Sequence, residues 1–222
     1  MTGPNGLGAL CSTLCGSFID ALPVSGAALS AFSGSEGETA LYASDAIAGR
    51  LDELQFDLGE GPRWMAVHSR TRVLLPYAQS TAHERWPVFG KALGPTGVQA
   101  LFVFPLVIGV IDVGVIELYS TTPGPLSDAD LTSARVLADR AAWGLLRELL
   151  APDATDDSRS GPAGSRREIH QATGMVLGQI GGTAADALLL LRGYAFANGQ
   201  TVRETSNEVL ARRLDFSPPA SP

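Results

Sequence analysis

"VQALFVFPLVIGVIDVGVIELYS", residues 98–120, holds the longest apolar stretch of the chain, and its reading decides the fold. A membrane-spanning helix needs about 20 consecutive apolar residues. The apolar run over residues 100–115 is broken by Pro105, Gly109, Asp112 and Gly114. Those interruptions suit two buried strands joined by a turn near Gly109, because Val, Ile, Phe and Tyr pack well on a pleated surface and Gly supplies the turn.

Working outward, the chain alternates helical and extended signals. Residues 7–22 repeat Leu10, Leu14, Phe18 and Leu22 at a helical interval. "SGAALSAF" (25–32) and "ETALYAS" (38–44) read as strands around the turn "SGSEG". Residues 46–54 and 84–93 read as short helices, and "RVLLP" as a strand between them. "SDADLTSARVLADRAAWGLLRELL" is a long helix. Ser127 and Asp130 form a capping-box pattern at its start, and Leu131, Ala134, Leu137/Ala138, Ala141/Ala142 and Leu145 form its apolar stripe. The order predicts an α+β domain, an antiparallel sheet with flanking helices on one face, over residues 1–150.

The 222 residues are 45% apolar and 18% charged, enough for a packed core. The start of the chain lacks a basic region followed by an apolar run, so the expectation is a cytoplasmic protein with no membrane span. Cys11 and Cys15, four apart on one helix, read as small buried thiols, with a redox pair as the other reading. No Cys/His set with metal-ligand spacing occurs, so no metal is expected, and the residues name no cofactor. The net charge of −7 argues against broad nucleic-acid binding. It is uneven: residues 1–150 hold nine basic and fifteen acidic side chains, whereas residues 166–222 hold six arginines and five acids.

The first 150 residues resemble the GAF domain, a small-molecule sensory module. The segment "LQFDLGEGPRWMAV" (54–67), with its Gly-Glu-Gly-Pro turn, carries most of the resemblance. As a family GAF domains hold cyclic nucleotides, tetrapyrroles, haem or small aromatics, or only dimerise. Here no tetrapyrrole-attaching Cys stands in the middle of the domain. By fold analogy a ligand pocket would draw on the central strands and the 63–67 turn, with Trp64, Leu75, Phe104 and Val113 as lining candidates.

Residues 151–164, rich in Pro, Gly, Ser and Asp, read as a linker, and residues 217–222 as a disordered tail. Between them, three capping-box patterns (Ser165/Glu168, Thr183/Asp186, Thr201/Glu204) announce three helices over about 166–180, 184–198 and 202–213. Their apolar faces are Ile169, Ala172/Thr173, Val176 and Ile180; then Ala187/Leu188, Leu191 and Tyr194/Ala195; then Val202, Thr205/Ser206, Val209 and Leu210. On the first helix Arg167, Gln171, Gly174 and Gly178 line up on the opposite face. Outward glycines expose backbone and let another molecule approach, or let a second helix pack closely. On the second, Leu189, Arg192, Gly193 and Phe196 form a patch suited to dimerisation or to stacking of unpaired bases.

Residues 165–216 resemble the ANTAR domain, the three-helix RNA-binding output module of transcription antiterminators. The resemblance rests on Ile169, Ala172-Thr173-Gly174, Met175-Val176-Leu177, Ala187, Leu191-Arg192 and Ala195. GAF followed by ANTAR is a familiar pairing. Departures are His170 and Thr173, where many members carry Asp and Lys, and Thr205-Ser206 in place of an aliphatic-Ala pair. The resemblance implies a homodimer that binds dual-hairpin leader RNA and is not an enzyme. It implies RNA contacts from Arg166, Arg167, Gln171, Thr173, Gly174, Arg192, Tyr194 and Arg203, with a small-molecule ligand in the GAF part. Two other readings stand beside it: a DNA-binding regulator, and a ligand-sensing adaptor whose tail only dimerises. His170 invites comparison with a phosphoacceptor histidine, but kinase motifs and ATP-binding Gly boxes are absent.

Overall fold

The computed structural model describes residues 6–33, 37–151 and 166–217, and the chain divides into two compact units, Met1–Ser165 and Arg166–Pro222. The expected linker beyond Ala151, the middle of the "SGSEG" turn, the Ser165 cap and the tail beyond Ser217 lie outside the described residues.

The first unit runs α1 (Gly6–Ala21), β1 (Gly26–Ser33), β2 (Gly37–Ala43), α2 (Ala46–Leu58), α3 (Pro62–Ser69), β3 (Val73–Leu75), α4 (Ala78–Arg85), α5 (Pro87–Leu93), β4 (Ala100–Ile108), β5 (Ile111–Ser120) and α6 (Asp128–Leu149). The five strands make one antiparallel sheet in the order β2-β1-β5-β4-β3. The long apolar stretch is the β4–β5 hairpin, which turns through Gly109 at φ 59°. Its central strands are apolar on both faces because both are covered. Phe102, Phe104, Leu106, Ile116 and Leu118 pack beneath α1 and α6, while Leu101, Val103, Val115 and Tyr119 pack beneath α2–α5. Helices therefore flank the sheet on both sides rather than on the one face expected. A strand covered on one face only would alternate apolar with polar. Fully burying each of these large side chains contributes about 1.5–3 kcal/mol.

Two further local differences have plain causes. The stretch around 63–67 is not a turn but part of α3, which opens with Pro62 at its first position, where the missing N–H costs nothing. The helix expected over 84–93 is two helices, because Pro87 cannot continue α4 and instead starts α5. Cys11 and Cys15 are both fully buried in the core beneath α1, with no disulfide. Burial pushes the Cys11 thiol up to about 12 and the Cys15 thiol up as well.

The second unit consists of α7 (Arg167–Ile180), α8 (Ala184–Ala197) and α9 (Val202–Leu210). Ile169, Ala172 and Val176 of α7, Ala187, Leu191 and Ala195 of α8, and Val202, Thr205, Ser206 and Val209 of α9 are buried. Thr183/Asp186 and Thr201/Glu204 form complete capping boxes, as does Ser127/Asp130 at α6. At α7 Arg166 precedes the first turn and makes no side-chain cap, and the Ser165/Glu168 pattern lies outside the described residues. Among the described residues no single helix is long and apolar enough to cross a membrane.

Candidate functional site

One arginine organises the interior of the sheet unit. Asp45 accepts hydrogen bonds from the Ile47 and Ala48 amides and starts α2, which presents Asp52 and Gln55 to the sheet. α2 ends at Gly59, and Gly61, at φ 132°, then brings the backbone against the Gln55 side chain, where any Cβ would clash at 2.6 Å. The next two residues are Pro62 and Arg63. The Arg63 side chain is fully buried and ion-paired with Glu38 of β2, Asp52 of α2 and Glu117 of β5. Its Nε donates to Glu117 Oε2 at 3.0 Å. Gln55 Oε1 accepts from the Arg63 amide at 2.9 Å while Gln55 Nε2 donates to Glu117 Oε1. Ser30 Oγ of β1 donates to Asp52 Oδ1 at 2.8 Å.

Burial alone would pull the Arg63 pKa down, but Asp52, Glu117 and Glu38 together hold it well above its ordinary value. Glu117 moves up: loss of water outweighs the attraction of Arg63, and Asp52 adds repulsion. Three carboxylates around one guanidinium leave the cluster short of positive charge. This arrangement is a clamp joining β1, β2, β5, α2 and α3. Among the described residues no group of His, Cys, Asp and Glu could hold a metal ion. Nearby, Glu60 Oε1 accepts from the Phe89 amide at 2.7 Å, so the loop between α2 and α3 also caps α5.

Sequence reasoning named Arg63 only as the start of a turn and missed the clamp. The four pocket candidates do not come together. Phe104 and Val113 lie in the core beneath α1 and α6, whereas Leu75 packs on the opposite face of the sheet. Val113 sits at the irregularity where the β4–β5 register shifts, so simple alternation misplaces it. Trp64 is partly buried and donates from Nε1 to the Gln55 carbonyl at 2.7 Å.

The expected nucleic-acid face of the second unit is largely open. Arg167, Gln171, Gly174 and Gly178 are exposed along one stripe of α7, and a Cβ built on either glycine would meet nothing within 4 Å. Arg166 departs from the expectation: it is buried, one residue and so about 100° around the helix from Arg167. Thr173 is partly buried, and its hydroxyl donates to the Ile169 carbonyl at 2.7 Å, which explains how a Thr sits in mid-helix. Arg203 pairs with Glu168 at 3.2 Å, tying α9 to α7. Arg192 is partly buried, and Tyr194 meets Phe216 edge to face at 5.8 Å. Thr205 and Ser206, on the expected apolar face of α9, are fully buried; Thr205 Oγ1 donates to Gln200 at 3.3 Å, and Ser206 Oγ has no hydrogen-bond partner among the described residues.

A five-stranded antiparallel sheet covered by long terminal helices on one side and short helices on the other defines the sheet unit as an α+β domain. The chain belongs to the GAF domain family, whose model matches residues 7–145. Similar solved structures include a GAF domain/HD domain protein from Geobacter sulfurreducens (16% identity, 66% of this chain and 97% of that one, TM-score 0.51). Another is the GAF domain of a two-component sensor histidine kinase from Bacillus halodurans (13%, 65% and 96%, TM-score 0.50). A third is the GAF domain of a phosphoenolpyruvate-protein phosphotransferase from Coxiella burnetii (14%, 64% and 84%, TM-score 0.50). At these identities the likeness is one of fold. Comparison with curated proteins gives no match.

Proposed function

We propose that the chain is a signal-responsive, RNA-binding transcription antiterminator. It is a cytoplasmic, non-enzymatic homodimer whose GAF domain takes a small-molecule signal and whose three-helix unit, an ANTAR domain, binds stem-loops in nascent transcripts. The observation that carries this reading is the open α7 stripe of Arg167, Gln171, Gly174 and Gly178. A cation, an amide and two glycines at one-turn intervals suit a phosphate contact, a base-edge hydrogen bond and close backbone approach. The stripe lies in the one part of the chain that is not acidic. Arg192 supports it from α8, and Arg203, already held by Glu168, would have to exchange that partner for a phosphate.

A gel shift with a dual-hairpin RNA tests the proposal. Arg167→Ala and Arg192→Ala should each weaken binding across sequences and lower the salt slope by about one counterion. Unchanged affinity in both removes the interface, and preferential capture of duplex DNA transfers the same face to DNA. A specific observation favours the adaptor as the second reading. Leu189 and Phe196 of α8 are about two-thirds exposed, an apolar pair that suits protein contact as well as base stacking.

A further inference from the structure

After α9 the chain turns back on itself. Ala211 caps the helix, and the Arg212 and Arg213 amides donate to the Val209 and Glu208 carbonyls, both at 2.9 Å. These are the two bonds of a Schellman motif, whose left-handed position usually holds glycine. Here it holds Arg212, at φ 56°. The Leu214 amide also reaches the Glu208 carbonyl, and Arg213 pairs with the Glu208 carboxylate at 2.7 Å. The reversal sends residues 214–217 back against the other two helices. The Phe216 amide donates to Gln179 Oε1 of α7 at 3.0 Å, and the Phe216 ring meets Tyr194 of α8 with the ring planes 81° apart.

This strap borders the surface proposed for RNA. Gln179 follows Gly178, the last member of the α7 stripe, and Tyr194 stands two residues past Arg192. A ring centred 5.8 Å away claims, on its own side of Tyr194, the space that a stacked base needs. The hold is slight: Leu214 and Phe216 are only partly buried, Asp215 and Ser217 are exposed, and Tyr194 is still 36% exposed beneath the strap. The Phe216 amide rests on a side chain, not on a backbone carbonyl. The strap also has the chemistry of the ligand. Hydrogen bonds from the Ser217 hydroxyl and amide hold the Asp215 carboxyl below its ordinary range, so it stays ionised. An anionic carboxylate then stands next to an aromatic ring, as phosphate stands beside base in a nucleotide.

We infer that residues 214–217 are a built-in competitor for RNA: Phe216 holds the stacking position on Tyr194, and an unpaired base must displace it to bind there. This rests on the RNA-binding reading above and gives that surface a closed state and an open one. Apparent affinity is lower than intrinsic affinity by the fraction of molecules in which the strap is open.

The test is a gel shift of the full chain with the dual-hairpin RNA. Phe216→Ala opens the strap and should tighten binding about three- to tenfold, the worth of an edge-to-face aromatic pair. Phe216→Tyr should keep the parent affinity. The gain should vanish in a Tyr194→Ala background, where no stacking position is contested. Gln179→Ala removes only the hydrogen bond to the strap; it should give a smaller gain, and it replaces Phe216→Ala if that chain does not fold. A folded Phe216→Ala chain that binds no tighter than the parent overturns the proposal, and so does a gain that survives Tyr194→Ala. In nuclear magnetic resonance, the Phe216 ring signals of the parent should move to those of a solvent-exposed phenylalanine as RNA is added; signals that stay in place in the bound state overturn it as well. If the parent and every variant ignore the RNA at low salt, the RNA-binding reading itself falls. If the parent binds and no variant tightens, only the competitor falls.

Discussion

In the sheet unit a guanidinium lies fully buried among three carboxylates, and the surrounding strands and helices are drawn in around it. In the three-helix unit the buried set is Ala172, Ala187 and Ala195 beside Ile169, Val176, Leu191, Val202 and Val209, with Arg166, Thr205 and Ser206, and acids work at the surface, where they close capping boxes. The difference follows from size. A small three-helix core has little apolar area to offset a buried charge, so among the described residues its one buried charge, Arg166, stands at a helix end and its buried polar groups are the neutral Thr205 and Ser206. The larger unit can enclose a charge because three carboxylates pair with it and Ser30 and Gln55 hydrogen-bond Asp52, Glu117 and the Arg63 amide.

The sharpest way to break that comparison is Arg63→Met. Removing the guanidinium strands Glu38, Asp52 and Glu117 in the interior and should cost about 3–5 kcal/mol in denaturant unfolding followed by the tryptophan signal. A loss under about 1 kcal/mol would mean that the clamp is decorative. Next in size are the caps. Thr183→Ala or Thr201→Ala should cost about 1 kcal/mol each and reduce the far-ultraviolet helical signal of the second unit before the sheet unit unfolds. The smallest expected effect is a slope with pH. Glu117 binds its proton more tightly in the folded protein, so its contribution is fully present below the ordinary carboxylate range and is lost as pH rises through the raised value. Asp186 and Glu204, lowered by the hydroxyls and amides of Thr183 and Thr201, contribute in the opposite sense: their stabilisation is present above the ordinary range and is lost as pH falls through the lowered value. Glu117→Gln should therefore flatten the decline on the alkaline side of that range and leave the acid-side loss intact, as read from thermal midpoints across pH.

What was legible in the sequence was whatever neighbours in the chain determine. Gly109 between two β-branched runs announces the β4–β5 hairpin, and Thr183/Asp186 announces α8 within four residues. The face of the sheet on which a residue lies was less so, because the register shift between Leu106 and Val107 turns Val113 away from the side that counting predicts. The clamp was hidden for a different reason. Glu38, Asp52, Arg63 and Glu117 are each ordinary surface residue types, and only the β1–β2 and β1–β5 pairings together with the packing of α2 and α3 on the sheet bring them together. One signal was present: Glu117 interrupts "VGVIELYS", a strand apolar on both faces, and a carboxylate there requires a buried partner. The α7 stripe was readable because it lies on a single helix, whereas Arg166, expected among the same contacts, precedes the first turn and is buried.

The eight residues of α3 are too few to hold a helix by themselves. Through Arg63 their first turn is fastened to β2 and β5, so that end of α3 cannot open without breaking ion pairs to Glu38 and Glu117 at once. Its backbone amides should then exchange with deuterated solvent only when the entire sheet opens, at the slow rate of the core strands, and a short peripheral helix becomes a reporter of global opening.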